Sequence, residues 1–136
     1  MKEIGIRSIV EGDVEGEAIV SPLSISFLEG VDPETGIIVD TENPLCGTSI
    51  TGKILVFPES KGSTVGSYVI YGLHVNGVAP IAFVTNYAET ILVAGAILAN
   101  ITLVDKPNED LFTSISTGDT ISINTSKNKI RVEKKK

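Results

Sequence analysis

The chain has no tryptophan, and tyrosine and phenylalanine together make up 5% of its 136 residues. Its core must therefore be assembled from Ile, Val, Leu and Ala. There is one cysteine, Cys46, and one histidine, His74. A lone thiol closes no intrachain disulfide and cannot by itself hold a zinc or iron–sulfur site. Without disulfides, a reducing, cytoplasmic setting is expected. No apolar run reaches the roughly 20 residues that a bilayer-spanning helix needs. The segment Met1–Asp13 lacks the apolar core of a signal peptide. Basic residues are also scarce, 11 Lys and Arg against 17 Asp and Glu, for a formal net charge of −6. An acidic surface repels phosphate backbones, so neither nucleic acid nor membrane is an expected partner. Much of the positive charge gathers at the end, in Arg131, Lys134, Lys135 and Lys136, and reads as a solvated, frayed tail.

What is present suits a packed domain. Hydrophobic residues make up 42% and mean hydropathy is +0.25. The length fits one domain, residues 1–136, with residues 127–136 as a last strand and the basic tail. Glu17–Ser21 reads as a short strand stopped by Pro22, and Gly36–Asp40 as another leading out of a turn-rich loop. Lys53–Phe57 is a continuous apolar run, the pattern of a strand covered on both faces. The apolar spacing after it predicts a helix over 64–76, closed by Gly77. Ile81–Thr85 is a strand, Ala88–Ala99 a second helix, and Ile101–Asp105 a further strand. Gly118-Asp119 is a turn. Thr120–Asn124 and Lys129–Glu133 then alternate apolar and polar residues, as a hairpin with one buried face does. The expectation is a mixed α/β layered domain with about two main helices and a C-terminal hairpin.

The polar loop Glu59-Ser-Lys-Gly-Ser-Thr64 carries the chemistry. It leaves the carboxyl end of a buried strand, where open α/β sheets bind ligands. It also enters a helix, whose first N–H groups and positive dipole end attract anions. Gly62 permits close approach, Lys61 brings a positive charge, and Ser63 and Thr64 bring hydroxyls. A carboxylate or phosphate is the matching ligand. Ser63 has two readings. As an alkoxide, favoured by nearby N–H groups, it could remove a weakly acidic proton beside a carboxylate. As a plain N-cap it would do no more than satisfy the helix. The order of Gly, Lys and Ser is not that of a P-loop. Gly-x-Ser-x-Gly is absent, and His74 lies inside a predicted helix, which leaves no nucleophile elbow.

The block Asn43-Pro-Leu-Cys-Gly-Thr-Ser-Ile-Thr-Gly-Lys-Ile-Leu-Val-Phe-Pro-Glu-Ser-Lys-Gly-Ser-Thr-Val-Gly-Ser-Tyr68 resembles the swivelling domain, or small subunit, of aconitase X type enzymes. Gly16–Ser24 and Ala88–Ala99 fit the same family. The resemblance implies a swivelling β/β/α fold and a hydro-lyase active only with a large subunit, in a heterodimer. It implies an iron–sulfur cluster of the 4Fe–4S kind on that partner's cysteines. In the archaeal form of the family the implied reaction converts (R)-5-phosphomevalonate into trans-anhydromevalonate 5-phosphate and water, within a mevalonate route to isoprenoids. Bacterial relatives act on cis-3-hydroxy-L-proline and carry Gly-Arg-Gly-Ser where this chain has Ser60, Lys61, Gly62 and Ser63. By resemblance, Ser63 is the proton acceptor at C2 of a small anionic hydroxy acid. The partner's iron would act as Lewis acid on the 3-hydroxyl, and Lys61, Gly62 and Thr64 would hold a substrate anion.

Other residues have plainer roles. Glu89 suits a helix start. Asn86 and Tyr87 could line the crevice. Cys46 reads as a packed or interface thiol, and His74 as a helix-surface or interface residue. Two rival functions stand beside the dehydratase. One is a phosphohistidine carrier, for which His74 is the sole candidate. The other is a non-catalytic anion-binding or scaffolding module in which Ser63 is only a cap.

Overall fold

A computed structural model describes residues 2–135. The strands are β1 (Lys2–Gly5), β2 (Arg7–Val10), β3 (Asp13–Val20), β4 (Ile54–Phe57), β5 (Ala82–Thr85), β6 (Thr102–Asp105), β7 (Thr120–Asn124) and β8 (Lys129–Glu133). The helices are α1 (Phe27–Gly30), α2 (Gly66–Val75), α3 (Thr90–Ala99) and α4 (Leu111–Ser114), and a 3-10 turn, Thr125–Lys127, joins β7 to β8. All eight strands form one sheet in the order β1-β8-β7-β3-β4-β5-β6-β2.

The sheet changes character along β3. Asp13–Glu17 pair antiparallel with β7, whereas Ala18–Val20 pair parallel with β4. Gly16 sits near the changeover, where an added Cβ would come 2.7 Å from Ile81 Cδ1. One half is the antiparallel set β1, β8, β7 and the start of β3. The other holds the parallel run from the end of β3 through β4, β5 and β6, with β2 antiparallel at its edge.

Three layers result. Toward the helices, Leu55, Phe57, Phe83 and Leu103 pack with Ile70, Leu73, Leu92 and Ala96. On the other side, Ile54, Val56, Ala82, Val84 and Val104 pack with Ile121, Ile123, Ile130 and Val132 of the antiparallel half. The central strands are thus covered on both faces, which is why they read as unbroken apolar runs. The few aromatics are concentrated on the helical side. Phe27, Phe57 and Phe83 meet edge to face with ring centroids 5.6 to 5.9 Å apart, each pair contributing about 0.5–1.5 kcal/mol beyond its burial.

The swivelling β/β/α expectation matches this architecture, with differences in detail. Helix α2 begins at Gly66, not Thr64, and Asn76 is its C-cap. Its end is a Schellman turn: Val78 N–H donates to Leu73 O at 2.9 Å and Gly77 N–H to His74 O at 3.1 Å, with Gly77 at φ +72°. The expected strand Gly36–Asp40 is reduced to two bridges, Ile37 to Ser49 and Val31 to Ile38. Its backbone bonds are divided between two neighbours, Ile38 N–H donating to Thr48 O at 3.0 Å on one side and Val39 N–H to Gly30 O at 2.8 Å on the other, so neither ladder lengthens. Strands β1 and β2 were not anticipated. They are consecutive, yet β1 pairs with β8 and β2 with β6, so the first ten residues close both halves at once. Ile6 N–H bonds to Asn128 O at 3.0 Å between them.

The basic tail is solvated as expected, with Arg131, Lys134 and Lys135 exposed, but it is not frayed. Lys134 Nζ donates to Ser114 O at 2.9 Å and to Asp119 Oδ2 at 3.0 Å, while Lys135 N–H donates to Asp119 Oδ1 at 3.0 Å. Asp119 is buried. Burial alone would raise its pKa, but the N–H groups of Lys135 and Ser116 and the Lys134 ammonium outweigh it and hold the carboxyl below its ordinary value. The chain is therefore docked through Lys135, and Lys136 lies outside the described residues.

Candidate functional site

The carboxyl ends of the parallel strands form a laced platform. Ile25 N–H bonds to Glu59 O at 3.2 Å and Lys61 N–H returns to Ile25 O at 3.0 Å. Asn86 and Tyr87 both donate to Pro58 O, at 3.0 and 3.4 Å, and Lys106 N–H donates to Asn86 O at 3.0 Å. The loops after β3, β4, β5 and β6 are thus joined by backbone hydrogen bonds.

Buried polar side chains reinforce the platform. Asn43 Nδ2 donates to Ser21 Oγ at 2.9 Å, and Ser21 Oγ donates to Leu23 O at 2.7 Å. Asp105 is fully buried at the end of β6. It takes a two-pronged grip from Arg7 Nε and Nη2, both at 2.8 Å, and a bond from Ala88 N–H at 2.8 Å. Ser60 Oγ donates to Glu89 Oε1. Glu89 is also the N-cap of α3, accepting from Ile91 N–H at 2.9 Å and Leu92 N–H at 2.7 Å. The helix-start reading of Glu89 holds, and its second job is to clamp the loop after β4 to α3. Among the described residues no buried side-chain polar atom lacks a partner.

From this base Lys61, Gly62, Ser63, Thr64 and Val65 project into solvent, all exposed. Gly62 has φ +99°, and an added Cβ would come 2.9 Å from Ser26 Oγ, so both conformation and space require glycine there. Ser63 is not the N-cap of α2. That position belongs to Val65, which makes no side-chain cap bond. Ser63 Oγ instead accepts from Val65 N–H at 3.1 Å, in a local turn ahead of the helix. Its carbonyl accepts from Gly66 N–H at 3.0 Å.

This relocates the expected anion donors. The N–H groups of Val65, Gly66, Ser67 and Tyr68 already bond to acceptors of the same turn. The N–H groups of Gly62, Ser63 and Thr64 take part in no hydrogen bond among the described residues. Successive free N–H groups around a left-handed residue make an anion-binding concavity. Lys61 lies to one side, in a cleft of about 280 Å³ shared with Ser26, Glu29, Gly30, Asp40 and Glu42. Three carboxylates thus line the same cleft as its ammonium.

The remaining candidates fall elsewhere. Tyr87 is 51% exposed on the β5–α3 loop, beside exposed Asn86. His74 is exposed near the C-terminal end of α2. It lines an open groove of about 430 Å³ with Ala99, Asn100 and Thr102, at the amino ends of the strands. Helix carbonyls converge there, which disfavours a phosphoryl group, and Ser63 lies at the opposite end. Cys46 is exposed and free. The described residues contain no group of three His, Cys, Asp or Glu side chains that could hold a metal ion, so this chain's own donor set does not fit an iron–sulfur cluster. No helix among them is long and apolar enough to cross a membrane.

Sequence reasoning missed Arg7, Asp105 and Asn43, and saw Ser60 only as part of a motif. A carboxylate ending an apolar run was the available signal for Asp105. Arg7 had none, because its partner is distant in the chain.

Three layers, a parallel centre and a glycine–serine loop at its carboxyl ends define the class as a layered β/β/α domain. The model of the aconitase X swivel domain matches residues 3–132, and the chain belongs to that family. It resembles the phosphomevalonate dehydratase small subunit of Thermococcus gammatolerans, 50% identical over 126 residues, covering 93% of this chain and 94% of the relative. The protein of the same name from Methanosarcina acetivorans is 47% identical over 130 residues, covering 96% and 90%. Among solved structures, the holo form of aconitase X from Thermococcus kodakaraensis superposes with a TM-score of 0.93 at 46% identity, covering 98% of this chain and 100% of that one.

Proposed function

We propose that this chain is the small subunit of a phosphomevalonate dehydratase, a hydro-lyase that takes water from (R)-5-phosphomevalonate to give trans-anhydromevalonate 5-phosphate. The observation that carries the reading is the setting of Ser63. Its hydroxyl is exposed at the carboxyl end of the parallel strands, and Val65 N–H donates to its oxygen at 3.1 Å. A donor aimed at that oxygen favours its anionic form over the neutral one. The relatives' name supplies the substrate.

In this mechanism Ser63 Oγ removes the proton from C2, beside the substrate carboxylate, and becomes a neutral hydroxyl. The C2–H electron pair forms the double bond to C3. The C3–O bond breaks, the departing hydroxide takes up a proton from solvent and leaves as water, and Ser63 gives its proton back to solvent to return to the alkoxide. The free N–H groups of Gly62 and Thr64, with the Thr64 hydroxyl, orient an anionic group of the substrate. Lys61 adds attraction at longer range, weakened by Glu29, Asp40 and Glu42. The cluster implied by the resemblance is assigned to the large subunit, because one exposed cysteine does not match its ligand requirement.

Purified chain mixed with the large subunit from the same genome should dehydrate (R)-5-phosphomevalonate, while either subunit alone does not. Turnover of cis-3-hydroxy-L-proline instead would move the chain to the other branch of the family. A complex indifferent to every hydroxy acid offered would leave an anion-binding scaffold as the surviving reading.

A further inference from the structure

The two long helices carry no Asp, Glu, Lys or Arg. A helix on the surface of a globular domain ordinarily turns a charged face to water, and one that is apolar all round is a buried helix. Here the outer faces are not covered. On α2, Tyr68 is 70% exposed, Tyr71 44% and Val75 62%, and their spacing of three and four residues puts them on one stripe. On α3, Ile97 is 63% and Leu98 51% exposed. The helices pack side by side, with Gly95 of α3 against Ile70 of α2. Both adjoining helices thus present exposed apolar side chains and no charged residue of their own, the kind of surface that marks an interaction site.

We infer that this helix face is the docking surface for the large subunit, so that the small subunit is held through the outer faces of α2 and α3. The inference rests on the functional reading above, and two observations select the occupant. The first is continuity with the site. The apolar stripe starts at exposed Val65, whose N–H holds the Ser63 oxygen, and Tyr87 is exposed on the neighbouring loop. A partner that closes over Ser63 must rest on these residues. The second is the company the relatives keep. The similar proteins from Thermococcus gammatolerans and Methanosarcina acetivorans are small subunits, so a large subunit, not a second copy, is the occupant to seat over Ser63. The acidic cleft of Glu29, Asp40 and Glu42 beside Lys61 adds a rim that calls for basic residues on the partner. The opposite face of the molecule is unlike this one. There Glu3 of β1 faces Lys129 and Arg131 of β8 in cross-strand ion pairs, and Lys53, just ahead of β4, reaches Glu17 of β3, as on an ordinary wetted surface.

The test is the reconstituted complex with Tyr71→Glu and Ile97→Glu, singly and together, beside Ser122→Glu on the outer sheet as control. Binding is read by calorimetry, and folding by thermal melts of the isolated small subunit. Tyr71 and Ile97 are exposed, so the helix variants should melt close to the native chain; Ser122 is half-buried and bonded to Glu15, so Ser122→Glu should melt somewhat lower, which makes it the stricter control. Each helix variant should weaken binding by about thirty-fold or more, as truncation of an interface hot spot does, and Ser122→Glu should leave it unchanged. Folded Tyr71→Glu and Ile97→Glu proteins that bind within about three-fold of wild type would overturn the inference while leaving the dehydratase reading intact. An isolated chain that is a dimer, converted to monomer by Tyr71→Glu while the hetero-complex is unaffected, would overturn it in favour of a second copy. A wild-type chain that binds no large subunit would sink the functional reading itself.

Discussion

The two outer layers of this domain teach opposite lessons. The antiparallel half meets water through β7 and β8, where buried Ile121, Ile123, Ile130 and Val132 alternate with less buried polar residues. The helical layer meets water through α2 and α3, where the outer face is almost as apolar as the inner one. Periodicity marks the boundary with solvent only when solvent is the final neighbour. The charged alternation of the hairpin describes a finished surface. The flat hydrophobicity of the helices describes a surface completed by another chain.

That contrast can be broken from the inside. Phe83 links the helical layer to the central strands through both other buried phenylalanines. Phe83→Ala should cost about 3–5 kcal/mol, read as a lower midpoint in denaturant unfolding; a loss below about 1 kcal/mol would mean that the aromatic trio does not hold these layers together. On the other side, Asp119 anchors the end of the hairpin. Asp119→Asn should cost about 1.5–3 kcal/mol, since it removes hydrogen bonds to an ionised group. The pH sense follows from the lowered carboxyl pKa. The stabilisation is complete above the unfolded value of about 3.9 and is lost as pH falls through the lower folded value. The acid limb of the wild-type stability curve should therefore be steeper than that of Asp119→Asn, and identical limbs would contradict the assignment.

Smaller effects sharpen the comparison. Gly62→Ala forces a side chain into a left-handed backbone beside Ser26 and should cost about 1–3 kcal/mol, with a larger fall in turnover than in the midpoint. Equal activity would show that the loop conformation is not needed. At the foot of the scale, Ser122→Ala on the outer sheet should change stability by no more than about 0.5 kcal/mol and leave activity unaltered.

How much could be read from residues alone follows the same physics. The hairpin was legible to the residue, because alternation and an αL residue at Asn128 are local. The central strands were legible as apolar runs, and the end of α2 through Gly77. The start of α2 was misplaced by two residues, since Ser63 satisfies a turn that resembles a cap. Gly36–Asp40 looked like a strand because its side chains are apolar, yet buried Ile38 packs from a loop. What was invisible depends on partners far along the chain: Arg7 on Asp105, Lys134 on Asp119, and β1 and β2 on opposite edges. At the site, the position of the loop beyond the carboxyl end of β4 was legible, and the role proposed for Ser63 comes from the family resemblance alone. The clamp from Ser60 to Glu89 and the shift of free N–H donors from the helix start to Gly62–Thr64 required coordinates.

The central claim is that Ser63 supplies the base in a site finished by the partner chain. It is tested most directly by the dehydration rate of the complex reconstituted with Ser63→Ala. Turnover should fall by about 10²-fold or more with the affinity between subunits unchanged. A Ser63→Ala complex that turns over at the wild-type rate would contradict the account.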